Sequence, residues 1–574
     1  MATYLGAFPF PSQAPAILTN DALLKVVTIL TGRYEAVLRK GRETWVREIY
    51  RSLAVHDRTL RQKESRGGES PTERADGKGF AVDEAADDDE DGDDELVLSA
   101  FETLDAIEAF GHGERVDVHH SVIPSDNLLK LIELLILASP MGAQEKLSAI
   151  TSELTDAKVS ELRRTAGNIL ATFGVEQSHG VAFKTFHAVV ITSLPYLFDG
   201  LRPLFEHFLF DKDFDLSKRK MSASLTSELS PSVSTLLSTP LSTPSESIIA
   251  EKPTPPEQEP ALLEPGEILD LNTLSHLSFF LRPSPFRHVH PLYAGSRAGF
   301  SMGSFEKCVF KYPGPTILLL RGEVMSASEM ASTGNPRLRT FTDSIPPSRL
   351  SSSIPTSSQS STVTYGAYIP SPWKSTPSAC FGDSSTVLFQ LSPRHLLFPA
   401  STLSPHYVYC NKNPTTFPGI GFGSPAPVRS ASHIHGVDRR HSYSERRTLP
   451  LGPVSLHLED GLEFAVFTHD AEGGGSFLPS PIAGFSAHHA AAQPSARSLA
   501  SWQDRIEITS LEVWGLSAAG DGTEAEEQRR AWKWEEREAE RRRRINLGTG
   551  DRDADYELLK MAGLVSGEYS GGSM

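Results

Sequence analysis

The spacing of apolar residues changes from a helical to a strand-like pattern near residue 269. Before this point, apolar side chains recur every three or four residues, which is the spacing of one face of an α-helix. After it, apolar residues fall in short runs separated by Gly and Pro, as they do in antiparallel sheets. A series of helices followed by a series of strands predicts an α+β protein.

The first 220 residues carry the helical spacing. Thr19 is a predicted helix N-cap, and Pro140 and Gly174 are predicted stop signals. Residues 61–95 are rich in Gly, Ser and acidic side chains, and we interpret them as a disordered acidic loop between helices. Apolar residues that share one helical face predict helices within residues 20–60, 96–110, 125–138 and 155–173.

Two polar segments flank the strand-patterned part of the chain. Residues 221–265 are dominated by Ser, Thr, Pro and Glu, which bury too little apolar surface to offset the entropy cost of ordering, so we interpret them as a linker. Acidic and basic side chains alternate from Glu524 to Arg544, a stretch that includes Trp532 and Trp534, so residues 517–574 are predicted to form a charged helix and a tail. The arginines at 541–544 favour docking to a partner helix over phosphate binding, because neighbouring glutamates offset their charge.

Residues 266–516 carry the strand pattern, and we expect packed antiparallel sheets with short helices there. Three polar or small-residue tracts interrupt the pattern, near residues 325–362, 424–447 and 480–498, and these are predicted surface insertions. Short apolar runs predict strands at residues 308–312, 316–320, 387–391, 454–458, 464–468 and 506–514.

Charge and cysteine content restrict the class of protein. The formal charge is −17 over 574 residues, so the average surface repels nucleic-acid phosphates and anionic lipid head groups. Cys308, Cys380 and Cys410 form no CxxC pair, which fits a reducing compartment. The longest apolar run, residues 128–138, is too short to cross a bilayer. We therefore expect a cytoplasmic protein with no transmembrane segment and no direct nucleic-acid binding.

One short string matches a catalytic motif. Residues 299–303 read Gly-Phe-Ser-Met-Gly, as in the GxSxG nucleophile elbow, where glycines permit the strained turn that exposes a serine. The elbow needs a strand before it and a helix after it, and we predict neither here. We therefore interpret Ser301 as non-catalytic.

Two kinds of residue cluster are candidate metal ligands. Residues 87–92 match the opening of a calcium loop, but the twelfth position is Leu98, where a bidentate glutamate should close the coordination shell. Two histidine pairs lack Cys or carboxylate companions at ligand spacing, namely His288 with His290 and His433 with His435. We predict no catalytic, cofactor-binding or metal-binding residues, and hence no enzyme.

Two cysteines and one Glu–Trp pair could have either a functional or a structural role. Cys308 and Cys380 could be redox-active, but neither has an evident basic environment, and free cysteines usually pack as small apolar groups. Glu512 next to Trp514 could form a site. Alternatively, Trp514 packs inward while Glu512 points outward or accepts hydrogen bonds.

An ordered series of motifs in residues 266–516 resembles the TLDc-domain family and covers about half of the chain. The closing motif is the most specific, and the preserved order of all of them carries the resemblance. The motifs are Gly299-Phe300-Ser301, Tyr365-Gly366-Ala367-Tyr368 with Trp373, Phe381-Gly382, Ile420-Gly421-Phe422-Gly423 and Leu511-Glu512-Val513-Trp514-Gly515.

The resemblance implies a non-catalytic regulatory protein that binds protein partners. TLDc proteins are associated with the vacuolar proton-pumping ATPase and with disassembly or inhibition of its peripheral sector, and fungal members have a genetic link to telomere capping. The resemblance also implies an EF-hand-like helical region without calcium in residues 1–220, and peripheral association with the vacuole membrane through a partner. An alternative implication is oxidation resistance through redox activity at Cys308 or Cys380.

Overall fold

The computed structural model describes residues 2–6, 18–33, 42–56, 121–142, 154–175, 180–206, 262, 264–282, 289–326, 329–330, 334–346, 350, 352, 361–376, 379–413, 418–426, 449–480, 501–516 and 537. All of these up to Leu516 belong to one compact unit, and Arg537 belongs to a second unit, Ser517–Met574. The predicted acidic loop, the helix predicted at 96–110, most of the predicted linker and the predicted charged helix lie outside the described residues, apart from Arg537.

In the N-terminal part of the first unit, the described residues form helices and three short strands. The helices predicted at 125–138 and 155–173 are present, whereas the described part of the 20–60 segment contains two helices. Thr19 caps the first of these two helices, since its hydroxyl accepts a hydrogen bond from the Ala22 amide at 3.3 Å. The elements are α1 Ala2–Gly6, α2 Asn20–Leu30, α3 Arg42–Leu53, β1 Val55–His56, β2 Ser121–Pro124, α4 Ser125–Ala138, α5 Asp156–Ala171, β3 Gly180–Ala182, α6 Phe183–Thr192, a 3₁₀ helix Leu197–Leu201 and α7 Arg202–Glu206.

The strands β1, β2 and β3 form an antiparallel sheet in that order, and β2 and β3 each lead directly into a helix. Tyr50 on α3 connects this sheet to the helices, because its hydroxyl donates to the carbonyl oxygen of Ser121 at 2.6 Å and lies 3.3 Å from that of Val181. Apolar side chains from the helices and from β2 and β3 form one core, including Ile132, Ile169 and Phe186, so the helices pack around the small sheet.

In the C-terminal part of the first unit, the described residues form ten antiparallel strands. Their order is β8-β7-β6-β5-β13-β12-β11-β10-β9, and β4 pairs with the second half of β13. The elements are α8 Leu271–Ser278, β4 Val289–Ala294, α9 Gly295–Ala298, α10 Met302–Val309, β5 Thr316–Val324, α11 Pro336–Ser344, β6 Thr362–Ile369, β7 Val387–Ser392, β8 Leu396–Pro399, β9 Val408–Asn411, β10 Gly419–Phe422, β11 Val454–Glu459, β12 Phe464–His469 and β13 Trp502–Leu516.

The central strands are buried on both faces. On β5, Leu318 and Leu320 join the largest core cluster, while Ile317 and Leu319 join a second cluster beneath α8. This alternation follows from the two-residue period of a strand. A register shift between Ile508 and Ser510 changes the alternation along β13. Glu512 and Trp514 consequently lie on the α8 side of the sheet.

The structure corrects two expectations about local elements. The strand predicted at 308–312 is wrong, because Cys308 and Val309 end helix α10, whose apolar positions Met302, Phe305 and Val309 bury one helical face. The tract at 325–362, predicted as a surface insertion, contains α11. That helix buries Leu338 and Phe341 in a cluster with residues of β12. Short apolar runs do not distinguish a strand from one face of a short helix.

The helical part and the sheet part share a polar junction. The amide of His395 donates to the carbonyl of Asn168 at 3.0 Å, and the hydroxyl of Thr172 donates to the carbonyl of His395 at 2.8 Å. Tyr196 donates its amide to the carbonyl of Phe279 at 2.9 Å, and the Phe279 ring packs in the helical core. These contacts join the two parts into one folded unit.

Candidate functional site

The carboxylate of Glu512 binds the backbone of the segment that precedes α8. Glu512 lies on β13, which pairs with β4 on one side and β5 on the other, and the residue is only 2% exposed. Oε1 accepts hydrogen bonds from the amides of Glu267 and Ile268, the latter at 3.1 Å, and Oε2 accepts one from the amide of Leu269 at 3.1 Å. The indole Nε1 of Trp514 donates to Oε2 at 2.9 Å. With two donors on each oxygen, the carboxylate is saturated.

Gly266 allows this close approach. A Cβ atom at this position would lie 2.5 Å from Oε2 of Glu512, which is closer than real Cβ contacts allow. The Gly266 amide donates to the carbonyl of Leu269 at 2.8 Å, and this bond closes a turn whose following amides converge on one anion. Glu512 therefore fastens the start of α8 to the sheet, which is the structural interpretation of this residue.

A cleft of about 140 Å³ lies beside this anchor, between the 264–267 segment, β4 and β13. At its rim, the Glu264 carboxylate lies 3.7 Å from the Arg297 guanidinium, and these side chains are 70% and 73% exposed. Hydrogen bonds from Ser296 and Ser510 lower the pKa of Glu267, which therefore stays ionised at neutral pH. The lining residues are Glu264, Pro265, Gly266, Glu267, Pro291, Tyr293, Ala294, Ser296, Arg297, Glu512 and Trp514.

Ser301 caps helix α10. Its Oγ accepts from the Ser304 amide at 3.2 Å and lies 2.9 Å from the Ser304 hydroxyl. Our expectation that no strand precedes this string and no helix follows it is wrong, since β4 precedes it and α10 follows. However, α9 and Gly299, whose φ is +84°, separate β4 from the serine. Within the described residues, no histidine hydrogen bonds to Ser301, so its hydroxyl has a capping role.

The three cysteines are free thiols, with Cys410 buried and Cys308 and Cys380 half-buried. Burial raises the pKa of Cys380 to about 11, and its Sγ donates to the carbonyl of Ser424 at 3.6 Å. Burial and the nearby Glu306 raise the pKa of Cys410. Because the thiolate is the reactive form, Cys380 and Cys410 are held in their unreactive state.

The structure also contains a histidine pair that the sequence did not reveal. His276 on α8 and His395, between β7 and β8, are fully buried, with Nε2 of His276 3.0 Å from Nδ1 of His395. Nε2 of His395 lies 3.1 Å from the carbonyl oxygen of Ser193. Because a carbonyl oxygen can only accept, Nε2 of His395 carries the proton. Nδ1 of His395 is then the acceptor, and Nε2 of His276 donates to it. Burial lowers both pKa values, that of His395 to about 4. The two residues are 119 positions apart, so no local pattern predicts the pair.

Of the other candidate ligands, only His290 lies within the described residues. His290 lies on β4 in register with Gly515. Residues 87–92, His288, both histidines of the 433/435 pair and the arginines at 541–544 lie outside the described residues. In the described ranges there is no group of three or more His, Cys, Asp or Glu side chains that could hold a metal ion. No helix in the same ranges has the length and apolar character needed to cross a membrane.

Comparison with known proteins gives matches over the whole chain. Residues 262–517 match the sequence model of the TLDc domain. The chain is 53% identical to restriction of telomere capping protein 5 of Leptosphaeria maculans and 54% identical to that of Pyrenophora tritici-repentis, and the alignments cover 100% of this chain and 87% and 88% of the relatives. The protein of the same name from Neurospora crassa is 38% identical, over 100% of this chain and 86% of its own length.

Proposed function

We propose a non-catalytic, protein-binding function for this chain, which belongs to the TLDc-domain family, among the fungal proteins named restriction of telomere capping protein 5. The observation that carries this proposal is that the reactive side chains described here have structural roles. Glu512 is saturated by four N–H donors, Ser301 caps a helix, and the thiol of Cys380 is kept protonated. A catalytic site needs a nucleophile or a base that is free to react.

The partner that we propose is the peripheral sector of the vacuolar proton-pumping ATPase, as the resemblance to TLDc proteins implies. A protein that binds the separated sector more tightly than the assembled pump shifts the equilibrium towards disassembly. The relatives are named for restriction of telomere capping, and we propose that this chain influences telomere capping through protein partners. Its formal charge of −17 opposes direct binding to DNA phosphates.

We further propose a cytoplasmic location, with peripheral association at the vacuole membrane through the partner. For the helical part we propose an EF-hand-like arrangement that binds no calcium. The support for this arrangement is the antiparallel pairing of β2 with β3, each strand leading directly into a helix, α4 or α6. A calcium loop also needs alternate carboxylates and a closing glutamate.

Affinity capture of the tagged full chain from cytosol and from vacuolar membranes tests the partner. We expect peripheral-sector subunits in the captured material, and their loss from a chain that lacks residues 262–516. The Cys308→Ser/Cys380→Ser variant serves as the control and should capture the same subunits, because neither thiol takes part in binding. Recovery of no pump subunit, or equal recovery without residues 262–516, would contradict the proposal.

A further inference from the structure

The cleft beside Glu512 has more negative than positive charge. Its lining includes the carboxylates of Glu264, Glu267 and Glu512 and one guanidinium, that of Arg297. Arg321 lies close to Glu267 but does not line the cleft, and its Nη1 donates to the carbonyl oxygen of Glu267 at 3.0 Å. Clefts lined by one sign of charge concentrate ions of the opposite sign. The cleft therefore favours a cation.

The two rim groups can exchange partners easily. Glu264 and Arg297 are both largely exposed, and a separation of 3.7 Å is long for a charge-assisted hydrogen bond. Exposed ion pairs of this kind contribute little to stability. An incoming cation can therefore replace Arg297 beside Glu264, while Glu512 keeps its four bonds and the sheet stays intact.

The walls of the cleft suit an apolar stem. Pro265 and Pro291 are exposed apolar residues of the lining, and the volume of about 140 Å³ is close to that of cavities that hold a benzene-sized group. Long basic side chains place methylene groups along apolar surface and keep the charged end near polar groups. An isolated metal ion would leave these apolar walls uncovered, and the described residues include no metal-binding cluster.

We propose that this cleft binds one cationic side chain, lysine or arginine, from a protein partner. Its methylene groups lie against Pro265 and Pro291, and its charged end lies between Glu264 and Glu267. This inference rests on the proposed protein-binding function and specifies the chemistry of one contact. The partner must present an exposed basic residue whose charge faces the acidic rim.

Saturation-transfer NMR on short capped peptides tests the cleft directly with the full-length protein. The probe is an acetylated, amidated Gly-Ser-Lys-Ser-Gly peptide, and the comparison peptides carry arginine, norleucine or N-acetyllysine in place of lysine. We expect saturation of the side-chain methylenes for the lysine or arginine peptide, and at least fivefold weaker saturation for the two uncharged peptides. Equal saturation with norleucine would overturn the proposal.

Three variants distinguish peptide binding in the cleft from non-specific electrostatic attraction to the protein surface. The Glu264→Gln/Glu267→Gln variant should lose the signal at least fivefold, and glutamine keeps an acceptor for Ser510. The Arg297→Gln variant should bind the charged peptide several-fold more tightly, because the competing guanidinium is gone. The control, Glu161→Gln, removes an exposed carboxylate that is paired with Arg164 on α5, and it should change nothing. Unchanged binding in the double variant, or weaker binding in Arg297→Gln, would overturn the assignment.

Affinity capture with the double variant separates this inference from the proposed function. Loss of the pump subunits that the wild-type chain captures would support a role for the cleft in partner binding. If the double variant captures them as well as the wild-type chain does, the cleft proposal fails and the protein-binding function stands. If the wild-type chain captures none, the proposed function fails regardless of the peptide result, and with it the partner role of the cleft.

Discussion

Replacing Glu512 by alanine should release the segment before α8 from the sheet. The truncation leaves the amides of Ile268 and Leu269 and the indole N–H of Trp514 without an acceptor, and all three residues are buried. Each buried donor without a partner costs about 1–3 kcal/mol. Since water can enter part of the vacated space, we take the lower half of the summed range and expect a loss of about 4 kcal/mol in local stability.

Hydrogen exchange of residues 264–270, followed by mass spectrometry, measures this loss. A decrease of about 4 kcal/mol corresponds to roughly a thousandfold faster exchange of the amides of residues 267–269. Glu512→Gln should be intermediate, because its carbonyl still accepts while its NH₂ group faces donors. The control Glu507→Ala removes an exposed carboxylate from the same strand and should leave these amides protected. Unchanged exchange in Glu512→Ala would refute the anchoring role of Glu512.

Three other predictions concern the junction, a thiol and α11. The pKa of His395 is about 4 in the folded protein and 6.5 in the unfolded chain. Its contribution to the free energy of unfolding is therefore complete above pH 6.5 and is lost as the pH falls towards 4. The full loss is about 3 kcal/mol, and most of it should be seen as a fall in the free energy of urea unfolding between pH 7 and 4.5. The His395→Gln variant should show a weaker dependence of this free energy on pH. An equal dependence in the variant and the wild-type protein would contradict the prediction. Burial raises the pKa of Cys380 from 9.0 to about 11, so this thiol should react with iodoacetamide roughly 100-fold more slowly at pH 7 than an exposed cysteine, as measured by mass spectrometry, and similar rates would be inconsistent with its burial. Phe341→Ala should cost about 3–5 kcal/mol in local stability and speed amide exchange in α11, and unchanged exchange would exclude packing of this helix on β12.

The elements that sequence reasoning located well are those with a clear period and clear ends. Helix α4 matches the predicted 125–138 segment because its apolar face is continuous and Pro140 follows it. Strand β13 was located because β-branched and other apolar residues are frequent from Ile506 to Trp514 and Gly515 follows them. Helix α10 was missed, because Cys308 and Val309 belong to an apolar run that is too short to show a helical period, and only the cap at Ser301 marks its start.

The candidate site depends on contacts between distant positions, which a single sequence does not reveal. Glu512 and Trp514 stood out, but the choice between a reactive and a structural carboxylate needed the amides of residues 267–269, which lie about 245 positions earlier in the chain. The histidine pair at the junction also depends on contacts between distant positions, because His276, His395 and Ser193 belong to three separate segments. Local patterns predict elements, whereas burial and long-range hydrogen bonds decide what a polar side chain does.

We propose above that this chain regulates the vacuolar pump by binding to it and not by catalysis. The most direct measurement is the release of peripheral-sector subunits from purified vacuolar vesicles as purified full-length chain is added. We expect release that saturates with chain concentration, together with chain bound to the released sector in a fixed ratio. No binding and no release, at chain concentrations well above that of the pump, would contradict the account.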